Sequence, residues 1–150
     1  MLQGASCGRD FQQEYGRDYG ETFVPVAHMH TVPTLVAVAA ARGWTLSQLD
    51  VKNAFPHGDL QEVYMTPPSG LLTSPGLVCC LRHALYGLKQ APRAWFERIS
   101  TVVKAAGFNT SIHDLAVFTY VSSRGRTVLL LYVGDMILTG DDPAHTAFVK

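Results

Sequence analysis

Cysteine is scarce, with only Cys7, Cys79 and Cys80 in 150 residues, and two of the three are neighbours that seldom bond to each other. A disulfide scaffold is excluded, and a reduced, intracellular setting fits this usage. The chain also lacks a net charge, with 12 basic against 12 acidic residues. No overall positive field therefore advertises a nucleic-acid partner, and any such contact must be local. Long apolar runs are missing too: Leu35 to Ala41 is the longest, far too short to span a bilayer, and the start carries no secretory apolar stretch. Membrane insertion is not expected. His28 and His30 have no nearby Cys or His partner for zinc, and no Ser-His-Asp or reactive-Cys arrangement is evident.

What remains is ordinary for one compact domain: 47% hydrophobic and 16% charged residues, enough to bury roughly two thirds of the unfolded surface. Residues 1–30 read as loop-rich. Thr31 precedes the apolar stretch Leu35 to Ala41, which Arg42 and Gly43 close, so a helix is predicted there. Trp44 to Val51 alternates, putting Leu49 and Val51 on one face and Gln48 and Asp50 on the other, as a strand ending in an acid.

After a loop at Pro67 to Gly76, Leu77 to Leu81 reads as a strand and Gly87 as a break. Pro92 to Ala106 is the clearest helix, with Trp95, Ile99, Val102, Val103 and Ala106 on one face and Arg93, Glu97, Arg98 and Lys104 on the other. Leu115 to Val121 and Thr127 to Val133 read as strands. The second continues through a Gly134-Asp135 turn into Met136 to Thr139, a hairpin signal. Asp142 and Pro143 resemble an N-cap and first helical position, which is also the simplest account of Asp141 and Asp142. The element order argues for a layered α/β domain.

Asp50 ends one predicted strand and Asp135 sits at a hairpin tip. If those strands are neighbours, the two carboxylates could share hard divalent cations, as phosphoryl transfer requires. On composition alone, an Asp in a turn is usually a turn residue.

The motifs sharpen this. Leu49-Asp50-Val51-Lys52-Asn53-Ala54-Phe55, followed by His57-Gly58-Asp59-Leu60, resembles the first catalytic motif of copia-type retrotransposon reverse transcriptases. Leu85 to Phe96 (Leu-Tyr-Gly-Leu-Lys-Gln-Ala-Pro-Arg-Ala-Trp-Phe) resembles their next motif, and Tyr132-Val133-Gly134-Asp135 with Met136 to Asp142 their catalytic hairpin. Gln12 to Gly16 and Glu21 to Val26 are weaker matches. The likeness runs in family order from about Phe11 onward.

This resemblance implies a ferredoxin-like reverse-transcriptase palm, an antiparallel sheet with helices packed on one face, plus a partial fingers segment. Residues 1–43 would supply the fingers remnant and first palm helix, and 44–150 the palm core. Asp50 and Asp135 would be catalytic and would hold Mg²⁺, or Mn²⁺. Phe55 would lie under the nucleotide's sugar and exclude a 2′-hydroxyl by bulk; the alternative is an ordinary core Phe. Gln90 would contact the nucleotide, with helix capping as its alternative. Lys89, Arg93 and Arg98 would meet phosphates, or form a solvated helix face. The implied partners are an RNA template, a DNA primer and deoxynucleoside triphosphates; oligomeric state is left open.

Departures from the family matter as much. Its hairpin reads Tyr-Val-Asp-Asp, whereas Gly134 replaces the first Asp, the position expected to ligate both metals. Pro56 stands where Leu is usual and is expected to push Phe55 toward extended geometry. Gly20, Pro33 and Cys80 also differ, and Glu62 stands alone where relatives carry two acids. Residues 1–10 do not match the stretch preceding the Gln-Gln segment, and thumb and ribonuclease H regions are absent. The expectation is a truncated, inactive remnant of an RNA-directed DNA polymerase. The alternatives are a weak residual metal-dependent polymerase and a non-catalytic RNA- or protein-binding module using the Lys89 to Arg98 face.

Overall fold

The computed structural model describes residues 13–16, 19–52, 54–65, 67, 70 and 77–150, with the backbone alone at 56 and 59–62. The first twelve residues and most of the loop expected at Pro67 to Gly76 lie outside these. The chain divides into two compact units interleaved in sequence: Met1–Val24 with Asn53–Arg98, and Pro25–Lys52 with Ile99–Lys150. None of its helices is long and apolar enough to cross a membrane, among the described residues.

The second unit is built on a five-stranded antiparallel sheet. Its strands are β1 (Ser47–Asp50), β4 (Asn109–Thr110), β5 (Val117–Ser122), β6 (Gly125–Tyr132) and β7 (Asp135–Gly140), in the order β1-β7-β6-β5-β4. Side chains alternate between the two faces along the register, and both faces are buried at the middle of β6. Val117, Leu130 and Ile137 are cross-strand partners on one face, while Phe118, Leu129 and Leu138 are partners on the other. Phe118, Leu130 and Leu138 are fully buried, each stabilising the fold by roughly 1.5–3 kcal/mol.

Helix α1 (Thr31–Arg42) forms where the sequence predicts it, opening at Thr31, and stops where Gly43 takes φ 65°, a left-handed conformation that glycine enters without strain. Its Val32 and Leu35 pack with Ala27, Ala116 and Leu130, joined by Val117 and Ile137. Helix α3 (Pro143–Val149) is capped by Asp142, which accepts from the His145 N–H. The His145 ring stacks on Tyr120 at 3.8 Å and lies 2.9 Å from the Thr127 hydroxyl. Thr127 and Leu130 point to opposite faces of β6, so α1 and α3 flank the sheet on both sides. That corrects the expectation of helices on one face: each face of the sheet is apolar, and each needs a cover.

In the first unit, β2 (Asp59–Met65) and β3 (Cys79–His83) form a two-stranded antiparallel sheet. Helix α2 spans Ala91–Ala105, crossing from this unit into the other, and Gly107 follows it with φ 92°. Trp95 and Val103 on the predicted apolar face are buried, but Val102 is half exposed. Cys79 and Cys80 are free thiols.

Asp114, in the loop before β5, is buried and accepts from the His28 N–H at 3.0 Å, the Thr31 hydroxyl at 2.6 Å and the Ala116 N–H at 3.0 Å. It ties the start of α1 to the sheet. Desolvation pushes its pKa up, but the bonds from Thr31, His28 and Ala116, with the His28 charge, outweigh this and hold it below the ordinary carboxylate value. A depressed folded pKa contributes stability above the unfolded value of about 3.9, and that contribution is lost as pH falls through the folded value. Asp114→Ala should cost roughly 2–3 kcal/mol in chemical denaturation. It should also flatten the acid limb of the stability profile, which an unchanged limb would contradict.

Candidate active site

Asp50 is the last residue of β1 and Asp135 the first of β7, and the antiparallel register makes them direct partners. Directly opposed residues share a face with Cβ atoms about 5 Å apart. The first strand is shorter than the expected Trp44 to Val51, ending where Val51 and Lys52 leave the ladder, and β7 begins immediately after a two-residue turn. Asp50 is exposed and Asp135 half-buried. Gln48, two residues before Asp50 and on its face, donates from Nε2 to Asp135 Oδ1 at 3.2 Å. The Val51 N–H donates to the Gly134 carbonyl at 3.1 Å, fastening the hairpin tip to the end of β1.

The turn itself sits one residue earlier than predicted. Tyr132 pairs with Asp135, leaving Val133 and Gly134 as the two turn residues. Val133 has φ 56°, so the left-handed position falls on a β-branched residue rather than on the glycine. Glycine's conformational freedom is therefore not what this turn uses at 134. A primed hairpin turn with positive φ at its first central residue favours glycine there.

The residues expected to meet a nucleotide lie in the first unit. Phe55 opens a 3₁₀ turn, Phe55–His57, whose Gly58 N–H returns to the Phe55 carbonyl at 2.9 Å. Pro56 thus does not extend the backbone as anticipated; it occupies an early position of a short helical turn, where its missing N–H is not needed. Gly58 is buried against α2, where a Cβ would come within 2.7 Å of the Trp95 nitrogen. The Phe55 ring packs on Ala84, Leu88 and Ala91 and meets Tyr86 edge-on at 5.2 Å.

Phe55 also lines a cavity of about 410 Å³ together with Thr22, Gly87, Leu88, Lys89, Ala91 and Pro92. Lys89 is held by the Tyr19 hydroxyl at 3.2 Å and lies 4.8 Å over the Tyr19 ring. Gln90 sits between two lining residues, and its side-chain oxygen accepts from Gln13 at 3.0 Å.

Arg93 is paired with Glu21 at 2.6 Å and Glu97 at 2.8 Å. The Glu21 hydrogen bond, then that of Glu97, raises its pKa further. Its charge is answered within the unit, so the phosphate role is not what this arrangement favours. Arg98 is exposed on α2. Asp141 accepts from the Arg126 N–H, and Asp142 caps α3, so neither belongs with the two paired acids. Two side chains that sequence reasoning did not single out, Gln48 and Gln13, contact predicted site residues. Gln48's alternation with Asp50 was the available signal.

Asp50 and Asp135 thus face each other at the end of an antiparallel pair, beside a hairpin tip. A family model described as reverse transcriptase (RNA-dependent DNA polymerase) matches residues 5–150. The chain is 45% identical over 139 residues to the retrovirus-related Pol polyprotein from transposon RE2 of Arabidopsis thaliana, covering 89% of this chain and 9% of that one. It is 41% identical over 138 residues to the Pol polyprotein from transposon RE1 of the same plant, with 90% and 9% covered. Against the Pol polyprotein from transposon TNT 1-94 of Nicotiana tabacum it is 39% identical over 146 residues, with 95% and 11% covered. No solved structure gives a significant match. The chain belongs to the reverse transcriptase family. It resembles the Pol polyproteins of copia-type transposons and spans about a tenth of their length.

Val133→Gly should stabilise the hairpin by about 0.5–1 kcal/mol, because it removes a β-branched side chain from a left-handed position. Urea denaturation checks this; a loss of stability would show that Val133 is held by packing worth more than the strain.

Proposed function

We propose that this chain is the palm and part of the fingers of a copia-type RNA-directed DNA polymerase whose catalytic centre has been disabled at Gly134. The five-stranded sheet is read as the palm core, and the segment ahead of α1 as fingers. Asp50 and Asp135 are the surviving metal-binding acids. Phe55 and Lys89 belong to the deoxynucleotide cavity, with Gln90 beside it. RNA template and DNA primer are the partners this reading implies.

The observation that carries the proposal is the Asp50–Asp135 pairing, with a glycine at the adjoining turn position where the family has an acid. Divalent magnesium or manganese is the metal the family implies. The donor set does not fit two such ions. Two carboxylates converge, and among the described residues no third His, Cys, Asp or Glu joins them. The Gly134 carbonyl, tied to the Val51 N–H, is a neutral oxygen and a poor substitute for a shared carboxylate. The fold tolerates the change, since the tip's left-handed position lies on Val133 and its register is set by the β6–β7 ladder.

The pairing of Arg93 with Glu21 and Glu97 argues against the Lys89 to Arg98 face acting alone as an RNA-binding surface. Primer extension on an RNA template, with Mg²⁺ or Mn²⁺, tests the main reading. The chain should be inactive, and Gly134→Asp should recover several kcal/mol of transition-state stabilisation, roughly a hundredfold or more in rate. Equal activity in both chains would refute the role given to Gly134.

A further inference from the structure

Gln13 lies 76 residues from Lys89 in sequence, yet two of its groups engage it. The Lys89 N–H donates to Gln13 Oε1 at 2.8 Å, and the Lys89 ammonium reaches the Gln13 carbonyl at 3.4 Å. The other end of the Gln13 carboxamide donates from Nε2 to Gln90 Oε1 at 3.0 Å. This polarity is forced. A backbone N–H can only donate, so the Gln13 oxygen must face Lys89 and its NH₂ must face Gln90, which in turn must present its oxygen. The NH₂ end of Gln90 is thereby turned away from Gln13. A few residues along the same segment, Tyr19 fixes the Lys89 ammonium by its hydroxyl and ring. Tyr15 and Tyr19 are bridged to each other, and their rings meet edge-on at 5.8 Å.

We infer that Gln13 is a positioning residue for the nucleotide cavity: one carboxamide sets the backbone of Lys89, which lines the cavity, and the amide orientation of Gln90 beside it. The inference rests on the reading of that cavity as a deoxynucleotide site. Gln13 does not touch the nucleotide itself. It acts by removing freedom from two groups that otherwise pay an ordering cost on binding.

The test is equilibrium binding of dTTP to the chain as it stands, followed by nuclear magnetic resonance, in seven forms: unaltered, Phe55→Ala, Lys89→Ala, Gln90→Ala, Gln13→Ala, Gln13→Glu and the Gln13→Glu/Gln90→Ala double variant. Gln13→Glu keeps the acceptor for the Lys89 N–H, replaces the donor to Gln90 by a second acceptor and adds a negative charge, so the segment stays in place while the Gln90 carboxamide is turned over. Both Gln13 variants should bind about tenfold more weakly. In the Gln13→Glu/Gln90→Ala double variant the losses should fall clearly short of additive, because both changes act on the one Gln13–Gln90 contact and only the added charge acts independently.

Binding that falls with Phe55→Ala and Lys89→Ala but is unmoved by Gln13→Glu would overturn the inference and leave the cavity reading intact. So would fully additive losses in the double variant. Absence of saturable binding by the unaltered chain, or binding indifferent to Phe55→Ala and Lys89→Ala, would overturn the cavity reading and this inference with it.

Discussion

The short antiparallel pairing of β1 with β7 is the contact on which the site depends. Four residue pairs join the strands, and the last of them sets Asp50 against Asp135. Because side chains in a sheet alternate, a slip of one residue would send one acid to the opposite face. Two features resist such a slip. Leu138 on β7 is fully buried, and the Val51 N–H bond to Gly134 fastens the hairpin tip beyond the last pair. The geometry for two carboxylates is thus preserved by apolar packing and backbone bonds, none of which needs an acid at position 134. A glycine at position 134 is compatible with the same fold for that reason.

The first unit has a different logic. Its cavity wall is a loop and the opening turn of α2, elements with few regular backbone bonds of their own. Their order comes from side chains: Phe55 packed on Ala84, Leu88 and Ala91, Lys89 held by Tyr19, Gln90 held by Gln13, and Arg93 by two glutamates. Of the charges that a polymerase would turn toward phosphates, that of Arg93 is met by two carboxylates within the unit, whereas Lys89 rests on neutral groups.

Much of this was legible in the residues. The positions of α1, α2 and α3 followed from apolar spacing with Gly43, Gly107 and the Asp142-Pro143 pair, and the β6–β7 hairpin from two apolar runs about a glycine. The turn lies one residue earlier than the Gly134-Asp135 pair suggests, because the ladder closes at Tyr132 and Asp135 and puts Val133 in the left-handed position. Pro56 misled in a similar way, since a 3₁₀ turn accepts proline near its start. Strand β2 was not foreseen: Asp59-Leu60-Gln61-Glu62-Val63-Tyr64-Met65 carries too little alternation to declare itself, and it exists by pairing with β3. Asp114 gave no sign either, because a buried loop carboxylate is recognised only by its distant donors, His28 and Thr31. Convergence of Asp50 and Asp135 was legible as a condition, that their strands be neighbours, and the register meets it. The interleaving of two compact units is tertiary and leaves no local trace.

If the Asp50–Asp135 pair is all that this sheet offers a divalent cation, its capacity for such ions is small. Counting bound Mn²⁺ by electron paramagnetic resonance, in the unaltered chain, in Asp50→Asn and in Gly134→Asp, examines it most directly. The account predicts at most one weakly held ion in the unaltered chain, its loss in Asp50→Asn, and tighter binding with a second ion in Gly134→Asp. Two ions in the unaltered chain, or binding that survives Asp50→Asn undiminished, would contradict it.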